Sequence, residues 1–238
     1  MFSMYLDVVE LVAGYGKKQV LNHVSFGVEK GEIVSLLGHN GAGKSTTLQL
    51  IAGLRRASSG SILFEGEDIA RKDIAERVKN GISLVPQGRA FFDDLSVEEN
   101  LTMAGYTLRS ASIVKDRMHD VYEFFPRLQE RRSQSAGTLS GGEQRMLSLG
   151  MALVMNPKLM LLDEPTFGLS PLLAEELMEK IARISRELGT TVLLVQDSIT
   201  KAIAVSQRTY IMKSGRIVYQ GTKEALVGMT GEDLWNLF

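Results

Sequence analysis

The chain contains four short runs of apolar residues, and each predicts a strand that is buried on both faces. The runs are IVSLL at 33–37, GISLV at 81–85, KLMLL at 158–162 and TTVLLVQ at 190–196. Strands of this kind are continuous in hydrophobicity because helices cover both faces of their sheet. Segments with helical spacing follow the runs, as in LLAEELMEKIARISREL at 172–188. The pattern therefore predicts an α/β core.

Alternating patterns near the two ends predict strands of another kind. Residues 5–36 favour short strands with turns, and VLNHVSFGV at 20–28 alternates as a half-buried strand does. The segments GSILFEGEDI and TYIMKSGRIVYQG predict hairpins, the second turning at Ser214–Gly215. The last six residues, DLWNLF, predict a short terminal helix.

The hydrophobic pattern changes between Leu95 and Ser148, where no continuous apolar run predicts a buried strand. Ser96 and Glu99 have the spacing of a capping box, which predicts a helix start. Downstream, one helical face carries the apolar residues Val114, Met118, Val121, Tyr122 and Phe125. We expect a single domain of residues 1–238, in which a helical subdomain at about 95–148 is inserted between core segments 1–94 and 149–238.

Composition and charge narrow the possible functions. A length of 238 residues suits one sizeable α/β domain. The formal net charge of −1 gives no sign of the basic surface that non-specific nucleic-acid binding requires. The absence of cysteine excludes disulfides and thiolate metal sites. No run of roughly 20 apolar residues predicts a membrane span, and the N-terminus lacks the pattern of a signal peptide. Any action at a membrane is expected to be peripheral.

GHNGAGKS, between a predicted buried strand and a helix, matches the phosphate-binding pattern G-x-x-x-x-G-K-[ST]. Glycines let backbone N–H groups converge on phosphate oxygens, and the helix start adds a favourable dipole. Lys44 is expected to reach the β- and γ-phosphates, and Ser45 to bind Mg²⁺. The alternative, an accidental glycine-rich turn, does not explain the strand–loop–helix context. The predicted loop comprises Gly38, His39, Asn40, Gly41, Ala42, Gly43, Lys44, Ser45 and Thr46.

Two adjacent acids follow the apolar run LMLL. Asp163 would end a strand, where it can meet Mg²⁺ at the strand's carboxyl edge. Glu164 is placed to orient or deprotonate an attacking water. The alternative is a solvated acidic strand end, which the phosphate loop elsewhere in the chain disfavours.

The set Gly38–Thr46, Gln87, LSGGEQ at 139–144 and LLDEP at 161–165 resembles the ATP-binding cassette (ABC) ATPases, in their order and spacing, over essentially the whole chain. The LSGGE motif distinguishes this family from other P-loop enzymes, many of which share the phosphate loop and the acidic strand end. The resemblance implies a P-loop NTPase (RecA-like) core with an N-terminal antiparallel β subdomain and an inserted helical signature subdomain. It also implies ATP and Mg²⁺ as ligands.

The resemblance further implies roles for single residues. Tyr15 would stack on adenine, although an ordinary turn tyrosine is the alternative, and Gln87 would touch Mg²⁺ or water and face a membrane partner. Two cassettes of this family face each other head to tail, so that one chain's signature serves the other chain's nucleotide. A helix N-terminus behind small residues suits such an anion contact. The signature residues concerned are Ser140, Gly141, Gly142 and Glu143.

A narrower resemblance joins LVPQGRAFFDDLSVEENL, FFPRLQERR, AGTLSGGEQRML and DEPTFGLSP to the shorter ATP-binding subunit of branched-chain amino-acid importers. Three positions depart from the broad family: Ser170 stands for an aspartate, Met151 for an arginine, and Asp197 for the switch histidine of the nucleotide site. By position, none of the histidines replaces that switch residue; they are His23, His39 and His119. We expect Asp197 to be protonated, to point away, or to slow the site.

The expected function is ATP hydrolysis that powers an importer of branched-chain or other hydrophobic amino acids. Related importers of amides, urea or aromatic acids, a soluble non-transport ABC ATPase, and a P-loop kinase are the alternatives. Expected partners are a second ATPase subunit or another copy, integral membrane permease subunits and, through them, a periplasmic or surface solute-binding protein. The chain would lie at the cytoplasmic face of the cell membrane and bind no nucleic acid. The permease is expected to dock near Gln87 and the adjacent pair Phe91 and Phe92.

Overall fold

The structure is a computed structural model that describes residues 4–16, 18–108, 110–230, 233 and 237. Its strands are β1 Leu6–Tyr15, β2 Lys18–Val28, β3 Ile33–Leu37, β4 Ser59–Phe64, β5 Glu67–Asp68, β6 Ile82–Val85, β7 Leu159–Asp163, β8 Thr191–Gln196, β9 Arg208–Lys213 and β10 Arg216–Thr222. Its helices are α1 Lys44–Ile51, α2 Ile74–Lys79, α3 Val97–Ala104, α4 Ala111–Phe124, α5 Pro126–Glu130, α6 Gly141–Val154, α7 Pro171–Leu188, α8 Ile199–Val205 and α9 Lys223–Val227.

The central sheet has six strands in the order β10-β9-β3-β8-β7-β6. All neighbours in it run parallel except the β9–β10 hairpin. The four apolar runs of the sequence form β3, β6, β7 and β8, as their pattern predicts. Because β3, β7 and β8 are parallel neighbours, the loops after their carboxyl ends lie at one edge of the sheet, where α/β folds place their ligand sites.

A second, antiparallel sheet has the order β2-β1-β4-β5. Both hairpins expected from the sequence are present, β4–β5 and β9–β10. The β9–β10 turn has positive φ at both Ser214 and Gly215, 47° and 77°, as a two-residue hairpin turn of type I′ requires.

Alternate residues of the central strands enter two different cores. In β7 and β8, Leu161 and Leu193 pack toward the antiparallel sheet, whereas Leu162 and Leu194 pack toward the helices. The second core also contains residues of α3, α4 and α6, such as Leu101 and Val121. The inserted helices are thereby joined to the central sheet through one continuous apolar cluster.

Some helix boundaries differ from the pattern. The apolar face expected to run to Phe125 is divided: α4 ends at Phe124, and α5 begins at Pro126, because proline disfavours helical backbone in the residue before it. Helix α6 continues through position 148, the expected end of the helical subdomain, to Val154. The division into core and subdomain remains a prediction. The expected terminal helix at 233–238 falls mostly outside the described residues.

Capping boxes mark the start of three helices in the described part of the chain. Ser96 and Glu99 form the expected capping box at α3, and Ser140 with Glu143 forms another at α6. A third, at α2, was not identified from the sequence. Within the described part of the chain, no helix has the length and apolar character needed to cross a membrane.

Candidate nucleotide-binding site

The loop between β3 and α1 is held in a conformation that requires glycine. Gly38 and Gly43 have φ angles of 152° and 110°, and a Cβ at Gly43 would lie 2.6 Å from the Leu21 side chain. Gly41 also has positive φ, 83°, yet a Cβ there would meet no atom within 4 Å. Its glycine therefore serves the backbone conformation alone. Such a loop exposes successive N–H groups, which is the arrangement that binds phosphate.

Lys44 is the first residue of α1, and its side chain folds back into this loop. Its Nζ donates to the carbonyl oxygens of Gly38 at 2.6 Å and of His39 at 3.2 Å, and the residue is 5% exposed. Burial lowers the pKa of Lys44, against the opposing effect of Glu164, whose Oε1 lies 3.9 Å from Nζ. The ammonium group is thus fixed beside the amides that would receive phosphate oxygens.

Ser45 and Asp163 meet at the edge of the sheet. The Ser45 hydroxyl donates to Oδ1 of Asp163 at 3.0 Å, and burial raises the pKa of that carboxyl group. A hydroxyl and a carboxylate oxygen are hard ligands of the kind that Mg²⁺ takes from proteins, together with phosphate oxygens and water. The pair fits that ion, which would neutralise charge on the β- and γ-phosphates.

Glu164 follows β7 and is held through both its backbone and its side chain. It has a φ of 47°, unusual for glutamate, and its N–H donates to the carbonyl oxygen of Val195 at 3.0 Å. Gln87 Nε2 donates to its Oε2 at 2.8 Å. Burial raises the pKa of Glu164, Lys44 opposes the rise, and Asp197 adds to it. A buried, oriented carboxylate with a raised pKa is suited to accept a proton from water.

A cleft of about 740 Å³ opens over the loop, and Tyr15 lies at its wall. The side chain is 45% exposed, and its hydroxyl lies 3.5 Å from Oγ1 of Thr46. An exposed aromatic ring beside a phosphate loop can stack on a base, and that Tyr15 does so stays a prediction. Other residues that line the cleft are Lys18, Gln19, Val20, Asn40, Gly41, Gly43, Lys44, Ser45, Gln87, Glu164 and Ser214.

The LSGGE motif forms the start of α6. Ser140 is the N-cap, and its hydroxyl donates to the carboxylate of Glu143. That carboxylate also accepts a hydrogen bond from Nε of Arg131 at 2.5 Å. A Cβ at Gly141 would have no neighbour within 4 Å, whereas one at Gly142 would lie 3.3 Å from the Leu173 side chain. The chain's own packing therefore gives no reason for glycine at 141.

The signature and the phosphate loop line different clefts of this chain. Gly141 borders a groove of about 540 Å³ with Gln87, Phe91 and Phe167, whereas Lys44 borders the cleft that contains Tyr15. Gln87 lines both. The two glycine-rich segments thus do not form one site within this chain.

The structure shows the setting of all three departures from the broad family. Ser170 is the N-cap of α7, with its hydroxyl accepting from the N–H of Leu173, so serine caps the helix as aspartate also would. Asp197 follows β8 and is exposed; its charge opposes the lowering of the Lys44 pKa by burial and adds to the rise of the Glu164 pKa. The three expectations for Asp197 stay predictions. Met151 packs partly buried against the second core.

Two features of the site were not identified from the sequence. Thr166 and Gln196 form a buried hydrogen-bonded pair at 3.2 Å that ties the loop after Glu164 to the end of β8. Arg55 lies over the ring of Tyr15. The partners of each pair are at least 30 residues apart, so no local sequence signal marks either contact.

Comparison with known proteins gives a consistent result. The family model described as "ABC transporter" matches residues 21–167. The high-affinity branched-chain amino acid transport ATP-binding protein BraG of Pseudomonas aeruginosa is 46% identical over 90% of this chain and 91% of its own. The probable branched-chain amino acid transport ATP-binding protein LivF of Archaeoglobus fulgidus is 39% identical over 93% and 94%. A crystal structure of an ATP-binding cassette of an ABC transporter, in its ADP conformation, has a TM-score of 0.88 at 27% identity, covering 99% of this chain and 98% of that one.

Proposed function

The chain belongs to the ABC transporter family, and from that premise we propose that it is the ATP-hydrolysing subunit of an importer for branched-chain or other hydrophobic amino acids. The fold has the mixed α/β core and the antiparallel sheet of a P-loop cassette. One observation carries the proposal: three groups lie together at one edge of the sheet. They are the Lys44 loop, the Ser45–Asp163 pair, and Glu164 beside Gln87.

Each of these residues has a separate task in the proposed reaction. The loop amides and the Lys44 ammonium would bind the β- and γ-phosphates, and Ser45 and Asp163 would hold Mg²⁺, which would neutralise phosphate charge. Glu164 accepts a proton as a water oxygen attacks the γ-phosphorus and the bond to the β-phosphate oxygen breaks, which yields ADP and phosphate. Gln87 orients the Glu164 carboxylate through their 2.8 Å hydrogen bond.

The proposed active form contains two cassettes. Gly141 is exposed and free of neighbours that a Cβ would meet, and Ser140 begins a 14-residue helix whose N-terminus favours an anion. The signature would contact the γ-phosphate held by a second cassette, because it does not share a cleft with the chain's own phosphate loop. The second cassette is either another copy or a different ATPase subunit.

The solute, the membrane partners and the location rest on the relatives. BraG and LivF are named as ATP-binding proteins of branched-chain amino acid transport, and the alignments cover at least nine tenths of all chains concerned. We place the chain at the cytoplasmic face of the cell membrane, where permease subunits would bind it and a periplasmic or surface binding protein would deliver the solute.

The proposal is tested by reconstitution of the chain with permease and binding-protein subunits that co-purify with it. We expect the assembly to hydrolyse ATP faster when the binding protein carries leucine, isoleucine or valine, and to accumulate that amino acid in vesicles. Stimulation by an amide, urea or an aromatic acid alone would assign a related importer. ATP hydrolysis that no permease affects would contradict the transport function.

A further inference from the structure

Arg55 covers one face of Tyr15, the aromatic residue at the wall of the nucleotide cleft. Its guanidinium carbon lies 4.0 Å from the centre of the ring, which is within the range of a strong cation–π contact. Tyr15 lines the cleft, whereas Arg55 does not. Arg55 is thus not part of the cleft wall, and a base that enters the cleft would stack on the ring face that the guanidinium does not cover.

Arg55 is itself anchored to the phosphate-binding helix. Its Nε donates to Oε1 of Gln49 at 2.6 Å, and Gln49 belongs to α1, the helix that begins at Lys44. The Tyr15 hydroxyl lies near Thr46 of the same helix, at 3.5 Å. Tyr15 thus contacts α1 in two ways: directly through its hydroxyl, and through Arg55 on one face of its ring.

From this arrangement we infer that Arg55 is a positioning residue that backs Tyr15 and sets the distance between the adenine-stacking ring and the phosphate loop. The inference rests on the proposed ATP function and adds a determinant of base binding to it. Two physical effects act together. A planar cation on one face draws electron density from the ring, which favours stacking of an electron-rich base on the other face. Anchoring at Gln49 also limits the motion of a residue at the end of β1.

Binding measurements with two ligands separate this role from a general effect of charge. ATP contacts both the ring and the phosphate loop, whereas inorganic tripolyphosphate contacts the loop alone. We expect Arg55→Ala to weaken ATP and ADP binding to the full chain about threefold to tenfold, as loss of a cation–π contact supports, with tripolyphosphate binding unchanged. In hydrolysis assays KM for ATP should rise by a similar factor while kcat stays constant.

The chain offers a matched control next in sequence. Arg56 is exposed, and Arg56→Ala removes the same charge from the same segment. We expect it to leave the ratio of ATP to tripolyphosphate affinity unchanged. Arg55→Lys keeps the charge without the planar group and should recover only part of the ratio. In a Tyr15→Ala background, Arg55→Ala should have no further effect.

Several results would overturn the inference. One is equal weakening of ATP and tripolyphosphate by Arg55→Ala, which indicates a long-range charge effect. Another is a full Arg55→Ala effect in the absence of the Tyr15 ring. A parent chain that binds no ATP would remove the proposed function and the inference together. Normal ATP binding by both the parent and the Arg55→Ala chain would overturn the inference alone.

Discussion

Gln87 and Glu164, which follow the neighbouring parallel strands β6 and β7, are joined by a hydrogen bond of 2.8 Å from Nε2 to Oε2. Gln87 also lines the groove that contains Gly141 and Phe167. The orientation of the proposed general base therefore depends on a loop that borders a second surface of the molecule. A displacement of that loop would move the carboxylate, which gives a direct route from a partner to the chemistry.

Replacement of Glu164 by glutamine should separate ATP binding from hydrolysis. The amide oxygen can still accept from Gln87, and Lys44 keeps its bonds to the loop carbonyls, so nucleotide affinity should be retained. Without a carboxylate to accept the proton, turnover should fall by about 10²–10⁴-fold, and an ATP-bound dimer should accumulate. Phosphate release, nucleotide titration and light scattering measure the three effects.

Glu175→Gln is the control for this variant, because Glu175 is an exposed glutamate on α7, away from the described site. It should leave all three measurements at the parent values. Hydrolysis by the Glu164→Gln chain at the parent rate would exclude Glu164 as the base.

Gly141→Ala should preserve the fold and impair assembly. A Cβ at this position meets no atom of the chain within 4 Å, so the free energy of unfolding should change by no more than about 0.5 kcal/mol. If the glycine serves close approach to a phosphate in a second cassette, ATP-dependent dimerisation should weaken about tenfold, which corresponds to about 1.4 kcal/mol. Gly228→Ala, after α9, is the matched control. Normal dimerisation of the Gly141→Ala chain would contradict the assignment.

Arg77 is buried at 2% exposure, and its loss should destabilise the fold. It donates to the carbonyl oxygens of Leu50 and Ile51, the last residues of α1, at 2.6 and 2.9 Å. Arg77→Ala would remove the side-chain donor from both carbonyls, leaving Leu50 with the Gly53 N–H at 3.2 Å, and would create a cavity, at a cost of about 3 kcal/mol. Arg71→Ala, at an exposed position nearby, should change stability by less than about 0.5 kcal/mol. Equal urea midpoints for the two variants would contradict this account.

The sequence predicts the parts of this molecule that depend on local pattern. Continuous apolar runs such as IVSLL identify strands buried on both faces, and the spacing of Ser96 and Glu99 identifies a helix start. The positions of Lys44, Ser45 and Asp163 follow from motifs that lie at strand ends. Contacts between distant segments have no such signal. Arg55 on Tyr15 and Arg77 at the end of α1 depend on packing that only the fold supplies.

The two adjacent phenylalanines of the expected permease contact differ in exposure. Phe91 is partly buried and packs against the second core, whereas Phe92 is 53% exposed. We expect Phe92→Glu to uncouple transport from ATP hydrolysis while leaving the chain folded, because a buried charge at a membrane-protein contact is costly. Phe91→Glu should instead lower the free energy of unfolding. Solute uptake, measured beside ATPase activity in the assembled transporter, distinguishes the cases. Normal uptake with both variants would contradict docking at this loop.

The negative charge of Asp197 is unfavourable at this position. It raises the pKa of Glu164, which already lies beside Asp163. Solvent screens part of this repulsion because Asp197 is exposed, but a bound γ-phosphate would add further negative charge. We therefore expect this chain's own site to turn over slowly. A second ATPase with a complete site would do most of the hydrolysis, and this chain would complete that site with Ser140, Gly141 and Gly142.

Two substitutions in the assembled complex test this asymmetry. Asp197→His removes the repulsion and should leave ATP hydrolysis equal or higher. Ser140→Arg should abolish most of it, because the larger side chain stands where the other cassette's phosphate would approach. Since Ser140 also caps α6, Ser140→Asn serves as the control that retains a capping side chain, and unfolding of each variant is measured in parallel. Loss of activity in Asp197→His together with a silent Ser140→Arg would show that the chain's own site carries the hydrolysis.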